Sequence, residues 1–192
     1  PEAEDTVRPR CVAGLLGGGA DFEWAETRLI SDDPAKVLGR ARRRGLAWPK
    51  LREILGSPRR SLQVVSPYFV PTASGVAFFS ALAQQGVAVS VLTNSLEATD
   101  VAAVHAGYAK RRAPLLRAGV RIYEYCDRPL HGKVALVDEA WATVGSSNLD
   151  PLSLSLNLEA NVIIQDRAFN AQLHRRLSHL MTHSCRQVQA SP

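Results

Sequence analysis

The stretch His131-Gly-Lys133-Val-Ala-Leu-Val-Asp138-Glu-Ala-Trp-Ala-Thr-Val-Gly145-Ser146-Ser-Asn148 decides how the rest of the chain is read. Two short apolar runs, Val134 to Val137 and Trp141 to Val144, flank the turn Asp138-Glu139, which is the pattern of a β-hairpin. On a strand, residues two apart share a face. A strand from His131 to Val137 therefore projects the His131 imidazole and the Lys133 ammonium together, with Gly132 on the other side and Ala135 and Val137 as floor. The hairpin returns Gly145-Ser146-Ser147-Asn148 toward His131, so that Ser146 and Asn148 reach the same oxyanion, and Gly145 permits close backbone approach. A base, a cation, a hydroxyl and an amide in this grouping suit attack on a phosphodiester.

Outward from the hairpin the chain alternates strands and helices. Leu62 to Ser66 is a buried strand stopped by Pro67, and Thr72 to Gln85 a helix with Val76, Phe79, Leu82 and Ala83 on one face. Val87 to Thr93 is a strand. Val101 to Ala118 is a helix with Lys110, Arg111 and Arg112 on its polar face and Gly119 as its stop. Val120 to Tyr125 and Ala160 to Ile164 are strands, and Arg167 to Met181 is a closing amphipathic helix. Such an order implies right-handed crossovers and a sheet covered by helices. The late hairpin makes that sheet mixed. The expected fold class is α/β, a mixed, mostly parallel sheet flanked by helices on both faces.

Upstream, residues 1–21 have the composition of a loop or linker. Phe22 to Ile30 is expected to be a strand ending at the turn Ser31-Asp32-Asp33-Pro34. Lys36 to Arg44, with Arg40, Arg42, Arg43 and Arg44, reads as a solvated basic helix face, or more sharply as a phosphate or anionic-lipid contact. Residues 1–60 are thus an N-terminal segment with a strand and a basic helix, and residues 61–192 the catalytic domain.

The 192 residues carry a formal net charge of +5 and a pI near 9.5, which favours anionic partners, nucleic acid or anionic lipid, or serves solubility alone. Cys11, Cys126 and Cys185 are odd in number and widely spaced, so neither a zinc site nor a disulfide framework is indicated. No apolar run is long enough to cross a bilayer. The start lacks the pattern of a signal peptide. It opens on Pro1 rather than methionine, which reads as part of a longer protein.

The residues of the opening stretch together resemble the signature of the phospholipase D superfamily: His-x-Lys, four residues, Asp, six residues, Gly-Ser-x-Asn. The matching positions are His131, Lys133, Asp138, Gly145, Ser146 and Asn148. The resemblance implies a phospholipase D-like half. In it His131 is either the nucleophile that forms a phosphohistidine or the acid that protonates the leaving alcohol. It implies that Lys133 and Asn148 bind non-bridging phosphate oxygens with Ser146 in support, and that Glu159 orients His131. Asp138, also a motif position, is expected to hold the local fold. No metal and no cofactor are implied. The chemistry needs two histidines, and His105, His174, His179 and His183 all lack a lysine two residues on. The resemblance therefore places the second motif in another half of the same chain or in a homodimer mate. For a C-terminal half, family usage favours His131 as the acid.

Flanking stretches resemble bacterial cardiolipin synthases. Ile30 to Pro34, Ser66-Pro-Tyr68-Phe69-Val-Pro71, Leu92 to Asp100 and His105 to Arg111 are similar to one type, C. Arg128 to Asn161 is more similar to another, B. The implied reaction forms cardiolipin from phosphatidylglycerol and a second phospholipid, with phosphatidylglycerol or phosphatidylethanolamine as donor, peripherally at the bacterial inner membrane. Tyr68, Phe69 and Val70 are candidates for an apolar mouth, with core packing equally expected for the last two. Asn94 and Asp100 are candidates for the rim, and His105 is a lesser one that is more often structural. Trp24, Trp48 and Trp141 are candidates to seat at a membrane interface, with core or edge packing as the default. The alternative is a homodimeric nuclease of the same superfamily, or a non-enzymatic phosphate-binding fragment; the preferred reading involves no nucleic acid.

Overall fold

The computed structural model describes residues 24–190 together with Gly14 and Gly17. The linker expected over residues 1–21, the start of the first strand at Phe22, and Cys11 lie outside the described residues. The elements are β1 (Glu26–Ser31), α1 (Ala47–Leu55), β2 (Ser61–Val65), α2 (Ala73–Gln84), β3 (Ala88–Asn94), α3 (Ala102–Arg117) and β4 (Arg121–Tyr125). They continue with β5 (Val134–Val137), β6 (Trp141–Gly145), α4 (Pro151–Ser155), β7 (Ala160–Gln165), α5 (Arg167–His183) and β8 (Cys185–Gln187).

All eight strands form one sheet in the order β1-β7-β6-β5-β2-β3-β4-β8. The mixed α/β sheet is the one expected, but parallel pairing is confined to β2–β3 and β3–β4. The other five pairings are antiparallel. The reason is connectivity: only the stretches crossed over by α2 and α3 can return a strand in parallel, whereas β5 to β7 meander. The residues before 60 contribute β1, which pairs with β7 across the chain.

Helices cover both faces. α2 begins at Thr72, whose hydroxyl accepts from the Gly75 amide at 3.2 Å, and turns Phe79 and Leu82 inward. Together with Tyr108 and Leu115 of α3 they pack on Leu62, Val64, Val89, Val91 and Ile122. Burying each such large side chain stabilises by about 1.5–3 kcal/mol. On the opposite face Met181 and Leu177 of α5 pack on Val65, Leu92 and Tyr125.

Two expectations change, for the basic run and for the start of the hairpin strand. The basic run is not a helix: Pro34–Leu38 and Arg43–Gly45 are two 3-10 turns. Lys36 is only 5% exposed, held by a salt bridge of 2.6 Å to Asp32. The strand expected from His131 starts at Val134. Its neighbour β2 ends opposite it, with Val65 facing Val134, and Pro67 beyond has no amide to extend the ladder. Trp48 and Trp141 pack in the core, while Trp24 stands in solvent.

Candidate active site

The strand directions bring one set of ends together. β1, β2, β3 and β6 end, and β5 and β7 begin, along the same edge of the sheet. That edge, at the carboxyl ends of the parallel strands, is where open α/β sheets place ligands. Asp32, Ser66, Asn94, His131, Lys133, Ser146, Asn148 and Glu159 all stand within a few residues of it.

His131 is exposed, in the loop that leads into β5. The Lys133 ammonium lies 3.4 Å from its Nδ1 and 3.3 Å from its Nε2, and donates to the His131 carbonyl at 2.8 Å. The two side chains meet as expected, but through a loop held from behind rather than through strand alternation. The clamp is Asn94: its Oδ1 accepts from the Leu130 amide at 2.9 Å and its Nδ2 donates to the Leu130 carbonyl at 3.3 Å. Asn94 is thus buried under the loop instead of lining a rim. Burial pushes the Lys133 ammonium below its ordinary pKa, against the opposing pull of the Glu159 and Asp100 carboxylates.

Gly145 lets β6 and β7 meet. A Cβ there would collide with the Ala160 carbonyl and the Asn161 side chain, so the glycine is required by space. Beyond it, the Ser146 hydroxyl hydrogen-bonds the Glu159 carboxylate and accepts from the Ala160 amide at 3.0 Å. Glu159, 7% exposed, takes a second bond from the Ser153 hydroxyl at 2.6 Å. No hydrogen bond joins Glu159 to His131 among the described residues. The Asn148 amide donates to the Ser153 hydroxyl at 3.2 Å. The Asn148 side-chain Oδ1 is buried without a partner among the described residues.

Asp138 is not brought to this edge. It ends β5 at the far side of the sheet, with φ of 52°. There it accepts from the amides of Arg59, Arg60 and Ser61 at 2.8 to 3.2 Å. Partial burial alone would raise its pKa, but the three amides and the Arg60 charge outweigh it and hold the carboxyl low. Phe69 is fully buried between Phe79 and Tyr108 and belongs to the core, not to a mouth. The Tyr68 hydroxyl donates to Asp100 at 2.7 Å. His105 packs its ring on Tyr108 at 5.3 Å, with its Nδ1 buried and unpartnered. The other three histidines lie on α5, where His174 meets Gln63 and His179 stacks on His183.

Sequence reasoning missed four residues here. The Ser66 hydroxyl accepts from the Leu149 amide at 2.9 Å and donates to the Tyr68 carbonyl at 2.7 Å, tying the loop after β2 to the loop after β6. Asp32, Lys36 and Ser153 surround Glu159. Only Ser153 left a local trace: Asp150-Pro151 is a helix-start signal, and Asp150 accepts from the Ser153 amide at 2.9 Å.

Comparison with known proteins bears on the family and the fold. Residues 51–181 match the family described as "Cardiolipin synthase, PLD-like domain". Cardiolipin synthase C of Escherichia coli K12 is 41% identical over 180 residues, 84% of this chain and 38% of that protein. Cardiolipin synthase B of the same strain is 46% identical over 139 residues, 71% of this chain and 32% of that protein. The chain thus spans about a third of the length of the curated relatives it matches. The fold is shared with Nuc, a phospholipase D family member from Salmonella typhimurium, at a TM-score of 0.64 and 17% identity, over 86% of this chain and 99% of that one. By the family match over residues 51–181, this chain belongs to the cardiolipin synthase, phospholipase D-like domain family.

Proposed function

We propose that this chain supplies one half-site of a phosphatidyl transferase that forms cardiolipin. The observation that carries the reading is the pairing of His131 with Lys133 at one sheet edge. In the first step a histidine nitrogen attacks phosphorus, and the bond to the leaving headgroup oxygen breaks as a second histidine protonates it. In the next, a hydroxyl of phosphatidylglycerol gives its proton to that second histidine and attacks phosphorus, releasing the first. His131 fills one of these roles. Lys133 and Asn148 hold the non-bridging oxygens, and Ser146, fixed by Glu159, steadies the loop that carries Asn148. The partner histidine comes from a second motif, in another half of the same protein or in a homodimer mate.

Glu159 reaches His131 only through a local rearrangement from its present bonds to Ser146 and Ser153. We assign it that orienting role when substrate draws Lys133 toward phosphate. The lipid reading is favoured over a nuclease by the leucines beside the site. Leu152 is 59% exposed, and Leu156 and Leu158 are about half exposed, flanking Ser153 and Glu159. They take over the apolar mouth that Phe69 does not provide. No described helix is long and apolar enough to cross a membrane; in this reading the protein works at the bacterial inner-membrane surface from its edge.

The test is an assay of the full-length protein on vesicles of phosphatidylglycerol, with and without phosphatidylethanolamine. Cardiolipin formation supports the reading, and its dependence on the second lipid identifies the donor. Absence of cardiolipin, with cleavage of a nucleic-acid diester instead, overturns it in favour of the nuclease.

A further inference from the structure

Asp32 and Lys36 lie in a segment whose sequence suggested a turn and a solvated basic run, yet both are over nine-tenths buried. Their contacts all converge on the support of the active site. Asp32 Oδ2 accepts from Lys36 Nζ at 2.6 Å and from the Glu159 amide at 3.0 Å. Its Oδ1 accepts from the Ala47 amide at 2.6 Å, and its own amide donates to the Glu159 carbonyl at 2.9 Å. Glu159 is therefore gripped by Asp32 through both backbone groups. The Lys36 ammonium then spans to the Ser153 carbonyl at 2.8 Å. Ser153 in turn donates to Glu159 Oε1 and accepts from the Asn148 amide.

A buried ion pair is weak evidence for stability, because desolvating two charges offsets most of their attraction. An apolar pair of similar volume would serve a core as well. What an apolar pair cannot do is accept from the Glu159 amide, as the Asp32 carboxylate does, and donate to the Ser153 carbonyl, as the Lys36 ammonium does. We propose that Asp32 and Lys36 are positioning residues of the active site, acting through Glu159 and Ser153 to fix the loop that presents Ser146 and Asn148 to phosphate. The inference rests on the proposed reaction only for the identity of the substrate.

The experiment is a double-mutant cycle in the full-length protein, with Lys36→Met, Glu159→Gln and the pair. It is read as kcat and KM for cardiolipin formation on phosphatidylglycerol vesicles, and in parallel for hydrolysis of bis(4-nitrophenyl) phosphate. Lys36→Met is expected to lower kcat about tenfold with little change in KM, and to cost less than about twofold once Glu159 is already glutamine. Lys36→Arg is expected to recover part of the loss. Equal factors in both backgrounds, or an unchanged kcat, overturn the proposal. Should Lys36→Met not fold, the neutral pair Asp32→Asn with Lys36→Met replaces it in the same cycle, since it leaves no unpaired buried charge.

A protein that hydrolyses the small diester but makes no cardiolipin refutes the lipid reading and leaves the cycle readable. If neither substrate turns over, amide exchange decides. The Asn148 amide, bonded to Ser153 Oγ, is expected to exchange about tenfold faster in the Lys36 variant while β3 amides keep their protection. An unchanged Asn148 rate overturns the proposal.

Discussion

Two buried glutamates, at opposite ends of the sheet order, show how one residue type is put to two uses. Glu124, on β4, is 2% exposed. It is met by the Arg186 guanidinium at 2.7 Å, the Arg112 guanidinium at 3.2 Å and the Tyr108 hydroxyl at 2.8 Å. Its charge is neutralised where it sits, and it ties α3, β4 and β8 together. Glu159, before β7, is nearly as buried but receives only hydroxyls from Ser146 and Ser153. Among the described residues no cation hydrogen-bonds it. The Lys36 ammonium beside it is taken by Asp32 and by the Ser153 carbonyl, and Lys133 feels its charge without bonding it. Burying a carboxylate with donors but without a bonded cation is costly. In the proposed mechanism that charge is kept for His131.

The sharpest way to break this contrast is through His131, which the unspent charge serves in the proposed mechanism. His131→Ala is expected to lower turnover by about a thousandfold or more, with no loss of melting temperature because the ring is exposed. Retained activity would show that the edge around Glu159 is not a catalytic edge. Glu159→Gln comes next, with an expected loss of about a hundredfold in kcat and a melting temperature within a few degrees of the parent. Glu124→Gln should do the reverse. Turnover per folded molecule stays within about twofold, while about 2 kcal/mol of stability is lost as Arg112 and Arg186 lose their shared acceptor, a fall of roughly 5 °C by calorimetry. If the two glutamine variants gave the same pattern, the distinction between the two carboxylates would collapse.

Asp138 tests the same distinction inside the signature itself. Asp138→Ala is expected to cost about 1–3 kcal/mol, because three amides lose their acceptor and alanine must take a positive φ. The kcat of the folded fraction is expected to stay near the parent value. Because the fold holds this carboxyl below its unfolded pKa, its contribution is fully present above about pH 4. It fades as pH falls through the folded value, so the gap between parent and variant should close on acid denaturation. The smallest effect concerns Lys133. With burial pushing its pKa down, activity should fall on the alkaline side before the pH of an ordinary lysine, about 10.4. Glu159→Gln removes an opposing pull and should move that limb lower still by a fraction of a unit, whereas Glu124→Gln should leave it in place.

Much of the fold was legible. Thr72 and Gln85 bound a helix, and the valine-rich runs at 62–65 and 88–93 became the central strands because alternation and glycine punctuation are local signals. α1 was harder to see: Pro49 interrupts its pattern, although a proline in the first turn does no harm. The basic run misled because composition alone says solvated, and nothing nearby announces that Lys36 has a buried carboxylate and a carbonyl to reach. The clamp of Asn94 on Leu130 could not be read locally, since it joins residues 36 positions apart.

What the sequence determined by itself was the inventory and spacing of the chemistry: His131 two residues from Lys133, a glycine where two strands must touch, and hydroxyl and amide groups just past it. Those are properties of adjacent residues, and local geometry transmits them. What only the tertiary structure decided was which groups stand behind that inventory. Asp32 reaches Glu159 because β1 pairs with β7 in antiparallel register, Ser31 against Ala160. That pairing, across about two thirds of the chain, rests on a long-range ladder and on the one buried side chain of β1, Ile30, packed with Leu51 and Ile163, not on anything written beside either residue.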